Sequence, residues 1–221
     1  MKLLINALTK FIFGLVFIGA FLFIPAKTFH YRGAWLFIGI LFIPMLIIGG
    51  IMLLKNPALL EKRLDAKEKQ SAQRGVIALS ALMFPAGFIL SALDFRFAWS
   101  HVPPWLTLAA AVLFLLGYAM YAEVMRENAY LSRTIQVQEG QTVVDTGLYS
   151  IVRHPMYSAT LLMFLPLPLI LGSLWGLIPF LFYPVIIVVR ILNEEKLLTE
   201  NLNGYTQYKK TVTYRLIPLI W

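Results

Sequence analysis

Apolar positions dominate the first half of the chain, in runs at about 11–26, 34–54, 75–93 and 102–122. Each run is close to the ~20 residues that a helix needs to cross a hydrocarbon layer about 30 Å thick. The pattern predicts four transmembrane helices. A weaker apolar pair follows at about 158–174 and 176–189, cut by Pro166, Pro168, Pro179 and Pro184. Each proline removes a helix hydrogen bond, and broken helices at membrane depth are tolerated where protein or a cavity covers the freed groups. The pair therefore predicts a proline-interrupted helical hairpin. Gly172 and Gly176 stand at its apex, a GxxxG spacing that reads as a tight turn before it reads as a dimer face. Arg190 arrives as the last helix leaves the apolar layer, so the hairpin begins and ends on one side.

The polar intervals add two elements. "KNPALLEKRLDAKEKQSAQR", residues 55–74, starts with Asn56-Pro57, a cap and first helical turn. Leu59, Leu60 and Leu64 fall on one side of it and charges on the other, which predicts a helix lying on the membrane interface. After Tyr121 comes a polar segment of about 35 residues containing Gly140 and Gly147. Connections that long are functional or disordered, and the apolar residues scattered through this one favour order. The chain thus divides at 122: residues 1–122 form transmembrane helices with an interfacial helix at 55–74, and 123–221 carry the chemistry. Lys2 and Lys10 give the first run a basic flank, but no Ala-x-Ala site follows, so it reads as a retained helix and not a signal peptide.

Composition agrees with this reading. Of 221 residues 59% are hydrophobic and 14% charged, against about 45–50% and 25% in soluble domains. The chain is expected to be an all-α integral membrane protein. Its net charge of +8 raises the question of nucleic acid. Placement answers it: 16 of the 19 Lys and Arg fall on the N-terminal side of the first helix, and only Lys27, Arg32 and Arg96 on the other. That asymmetry puts the N-terminus in the cytosol, where the charge faces anionic membrane lipids, and no nucleic-acid partner is called for. With no cysteine and three scattered histidines, no metal site is expected. Oligomeric state is not legible.

Two polar clusters flank the hairpin. Tyr149, Arg153, His154 and Tyr157 precede it, and Arg190, Glu194 and Glu195 follow in "VVRILNEEKLL". Taken singly these are ordinary. Arg190 and Glu194, four apart, suit an intrahelical ion pair worth a few tenths of a kcal/mol, and His154 and Tyr157 suit a cap and an interfacial anchor. Together they are distinctive. "VVDTGLYSIVRHPMYSA", then "R...EE..L", then "NGYTQYKKTVTYRLIPLIW" resembles the isoprenylcysteine carboxyl methyltransferase family, part of a wider group that includes the phospholipid amine methyltransferases. The resemblance covers roughly 123–221.

What the resemblance implies is an enzyme that transfers a methyl group from S-adenosylmethionine to a lipid-borne acceptor entering from the bilayer, in a pocket on the cytosolic side. It places the cofactor on Gln138, Gln141, Thr142, Val143, Val144, Tyr149, His154, Pro155, Met156, Tyr157 and Glu194. The substrate-positioning arginine falls on Arg190, with Arg190 and Glu194 as the catalytic pair. Ser158 stands where the family often has glycine. The residue types suit the chemistry. A carboxylate attacking a sulfonium methyl neutralises two charges and needs no base, so the enzyme must align the reactants and keep them dry. An amine acceptor would need a base, with Glu195 or His154 as candidates. The absence of a Gly-rich strand-turn-helix excludes the soluble dinucleotide-fold methyltransferases. A sterol-type reductase using NADPH shares a similar hairpin and tail, but Met156 stands where those enzymes typically carry asparagine. A transporter or scaffold is disfavoured because helices two to four carry no mid-span ionisable residue.

Overall fold

The computed structural model describes residues 2–64, 71–131 and 137–221. Among these there is no strand. Helix α1 (Lys2–Ala26) and α2 (Arg32–Lys55) form an antiparallel pair, followed by short α3 (Pro57–Leu64), then α4 (Ser71–Phe97) and α5 (Pro104–Glu127). A single 3-10 turn (Gly147–Ser150) leads to α6 (Pro155–Phe164), α7 (Leu167–Ile170), α8 (Leu177–Phe180), α9 (Tyr183–Asn201) and α10 (Tyr205–Thr211).

The helices outrun the apolar runs that predict them. In lipid every backbone N–H and C=O must be paired within the segment, so the helix continues until it reaches water. Five helical stretches are long and apolar enough to cross a membrane: Lys2–Ala26, Arg32–Lys55, Ala78–Phe97, Pro104–Glu127 and Leu177–Asn201. Four of these match the four expected helices, and the fifth, α8 with α9, is the second arm of the expected hairpin. Pro155–Ile170, the other arm of the hairpin, is shorter. The interfacial helix expected at 55–74 is observed only as α3, over Pro57–Leu64. Residues 65–70 lie outside the described residues, and Ser71 already belongs to α4. Asn56 caps α3, its Oδ1 accepting from the Leu59 amide at 3.1 Å, and Leu59 and Leu60 are buried.

The core sits where the hairpin meets the first helices. Phe84 of α4 meets Phe164, Phe180 and Tyr183 edge-on, which binds both hairpin arms to α4. The apex is pinned separately. Gly172 takes a positive φ of 78°, the left-handed backbone that glycine adopts without strain. Asp94, 1% exposed, accepts from the Ser100 amide at 2.7 Å and from the Ser100 and Ser173 hydroxyls at 2.5 Å each. Ser173 Oγ in turn accepts from the Gly176 amide. Hydrogen bonds to a charged group contribute roughly 1.5–3 kcal/mol each, and breaking several strands their partners. Asp94→Ala is accordingly expected to lower stability by about 3 kcal/mol, read as a lower midpoint of thermal unfolding in detergent. A midpoint equal to wild type would show the knot to be idle.

Candidate active site

The Arg-His-Pro turn is strapped to the C-terminal tail by backbone pairing. The amides of Arg153 and His154 donate to the carbonyls of Tyr214 and Arg215, both at 2.9 Å. Pro155 then takes the first position of α6, where a missing N–H costs nothing. Upstream, Gly147 has φ +50°, and a Cβ there would lie 2.0 Å from Glu127 Oε2. That carboxylate also accepts from Thr146 Oγ1 at 2.7 Å. Only glycine lets the turn close against α5 and carry Tyr149 inward.

Beneath the strap is a buried charge cluster. Glu195, 4% exposed, accepts from Arg153 Nε at 2.7 Å and Arg215 Nε at 3.0 Å, and lies 3.3 Å from His154 Nε2. Arg153 Nη1 also donates to the carbonyls of Val212 and Thr213. Glu195 and Arg153 are thus committed to holding α9, the tail and the turn together. Of the two candidate bases for an amine acceptor, Glu195 is held by these partners and stands outside the cleft lining, whereas His154 lines it.

The cleft itself adjoins this cluster through Arg153 and His154. Gln141, Thr142, Val143 and Val144 of the loop, Tyr149, Arg153, His154, Met156 and Tyr157 around the turn, and Arg190 and Glu194 of α9 all line it. Residues from both sides of the hairpin, distant in sequence, therefore share one hollow. Gln138 and Pro155 stand outside the lining. Gln138 instead shapes the loop: its amide donates to Gln141 Oε1 at 2.8 Å and its side chain to the Tyr130 carbonyl. Pro155 sets the first turn of α6. Arg190 and Glu194 are joined through a third residue: Arg190 Nε donates to Tyr157 Oη at 2.9 Å, and Tyr157 donates to Glu194 Oε2 at 2.6 Å. The i, i+4 pair of the sequence reading is thus a three-residue bridge across the cleft.

Sequence reasoning did not single out Asn128, Leu202, Tyr205 or Tyr208, which also line the cleft. Tyr205 and Tyr208 belong to the tyrosine-rich tail, where spacing alone does not separate a cleft wall from an interfacial anchor. Asn128 Nδ2 donates to Tyr149 Oη at 2.9 Å, and Tyr208 Oη to the Tyr149 carbonyl at 2.7 Å. Burial pushes the Tyr149 phenol up to about 12, and burial likewise raises Tyr205 and Tyr208. All three stay protonated at neutral pH and act as neutral hydrogen-bonding groups. Tyr205 Oη is buried without a hydrogen-bond partner among the described residues. A buried hydroxyl so placed costs about 1–3 kcal/mol, and it leaves a polar atom of the cleft wall available to a further partner.

Among the described residues the chain is all-helical, with helices long and apolar enough for a multi-pass membrane protein and a polar cleft at the end where α9 meets the tail. Residues 105–204 match the family model described as phospholipid methyltransferase, a family related to the isoprenylcysteine carboxyl methyltransferases. The motifs and this match agree that the chain is similar to membrane methyltransferases over its second half. The matched stretch includes every cleft residue except Tyr205 and Tyr208. No curated protein matches the chain.

Proposed function

We propose that this protein is an S-adenosylmethionine-dependent methyltransferase that modifies a carboxylate on a lipid-borne acceptor, from the cytosolic side of the membrane. The observation that carries this reading is the cleft's opposed charges, Glu194 and Arg190, bridged by Tyr157 beside the unpartnered Tyr205 hydroxyl. The lining fits the cofactor's chemistry. Glu194 would meet its cationic part, Tyr205 and the Gln141 and Asn128 amides its polar edges, and the Tyr149 or Tyr208 ring its adenine. When bound, it supplies an electrophilic methyl group on a sulfonium sulfur. Free space in the cleft is about 100 Å³, below the roughly 300 Å³ of small-molecule sites, so binding the cofactor would require the cleft to widen.

Arg190, a planar fork, suits a carboxylate. The engagement of Glu195 by Arg153, Arg215 and His154, and of Glu194 by Tyr157, favours an acceptor that needs no proton removed. The match to phospholipid methyltransferases favours a second reading, amine methylation, in which Glu194 would take the proton. The concentration of basic residues at one end supports a cytosolic cleft. Purified protein incubated with radiolabelled S-adenosylmethionine and a membrane lipid extract is expected to label a lipid. Mild alkali then separates the readings: a methyl ester releases volatile methanol, whereas an N-methyl group keeps its label. Tight NADPH binding without S-adenosylhomocysteine binding would overturn both in favour of a reductase.

A further inference from the structure

A second cavity, of about 540 Å³, opens between α1, α2, α3 and α5. Its walls are hydrocarbon, with Leu8, Phe11, Ile18, Leu41 and Met52 among them. Two cations, Lys10 and Arg63, also stand in its lining. Lys10 Nζ donates to the Leu64 carbonyl, and the Arg63 guanidinium lies 5.4 Å from the centre of the Tyr121 ring. Along α1 the lining reaches from Leu4 to Ile18, roughly 20 Å at about 1.5 Å per residue. One leaflet's hydrocarbon is about 15 Å deep. The chamber therefore has the depth, the polarity and the cationic rim for one chain of an anionic amphiphile.

The chamber and the cleft adjoin through one apolar cluster. Tyr121 and Met125 of the chamber wall pack in the same cluster as Tyr149 and Met156 of the cleft lining. Arg63 is near enough for its charge to act on the Tyr149 phenol. Methionine is unbranched and swings aside readily, so Met125 and Met156 form a yielding partition.

We infer that the chamber holds the hydrocarbon chain of the methyl acceptor, whose anionic end passes Arg63 and Tyr121 into the cleft beside Arg190. This rests on the methyltransferase reading and adds the residues that measure the chain. Most of them, from Leu4 to Leu64, precede the matched stretch, so proteins alike in the cleft can differ in the tails they take. Gly49 is the gauge. A Cβ there would meet nothing within 4 Å, which leaves the chamber open at that point.

Gly49→Leu would put a side chain into this space, and leucine's better helix propensity protects the fold. Gly39→Leu, in the same helix and equally uncrowded but outside the lining, is the control. Hexadecanoic and octanoic acid probes, each with a diazirine at the chain end, would be photo-crosslinked to the full chain in phosphatidylcholine nanodiscs and mapped by mass spectrometry. The hexadecanoic probe is expected to label residues 4–18 and 41–53 saturably. Labelling should fall about tenfold in Gly49→Leu, the loss of on the order of two buried methylenes, and stay unchanged in Gly39→Leu. The octanoic probe should be indifferent to Gly49→Leu. Unsaturable labelling shared with the lipid-facing Leu82 and Leu108, or equal labelling in both variants, overturns the inference. Crosslinking involves no methyl transfer. A failed methyl assay therefore strikes the proposed function, and a failed crosslink strikes this inference alone.

Discussion

Glu195→Ala is expected to destabilise the protein by about 3–5 kcal/mol, the usual cost of removing one partner from a buried ion pair. Its carboxylate holds Arg153, which is 4% exposed at the side chain, and Arg215, which is 29% exposed. Arg153 would be left as a buried cation with only the Val212 and Thr213 carbonyls to meet it. The tail that straps the Arg-His-Pro turn would loosen, and with it the wall of the cleft. Thermal unfolding in detergent should show a marked fall in midpoint, together with loss of S-adenosylhomocysteine binding. Glu195→Gln keeps the shape and some hydrogen bonds, so it should fall between. Full stability in the alanine variant would show that the cluster is not what fixes the turn.

Glu194→Gln is expected to leave folding intact and weaken S-adenosylhomocysteine binding by about 10- to 100-fold, as loss of one charge-assisted contact implies. The two glutamates are sequence neighbours, yet they part in function. Glu194 lines the cleft and accepts from Tyr157, while Glu195 faces the core. Isothermal titration reads the difference directly. Arg190→Ala should act otherwise, lowering turnover while sparing cofactor affinity, because its proposed partner is the acceptor. If both variants titrate and turn over like wild type, the bridge through Tyr157 is structural only.

Much of this was legible because polar residues are conspicuous in an apolar chain. Tyr149, His154, Tyr157, Arg190 and Glu194 stand out on either side of the hairpin, and they line one cleft. The Asn56 cap could be read from two letters. What could not be read was decided by tertiary contacts. One residue step turns a helix by about 100°, and only the arrival of Arg153 and Arg215 determines which glutamate points inward. The second hairpin arm was legible as an apolar run, but its spanning length was not, because Pro179 and Pro184 break the pattern that the chain continues through as α8 and α9. The chamber beside α1 was illegible for another reason: its walls are made of the same residues that face lipid everywhere else.

The knot at Asp94 also bears on how the cleft is held in shape. The hairpin is riveted at its bend and reaches the reaction zone with both limbs, like a pair of tongs. Such a shape is fixed at the rivet and depends on contacts at its tips to set their spacing. At the far end Tyr157 on one limb donates to Glu194 on the other, so the phenol is the clasp that fixes how far apart the limbs stand.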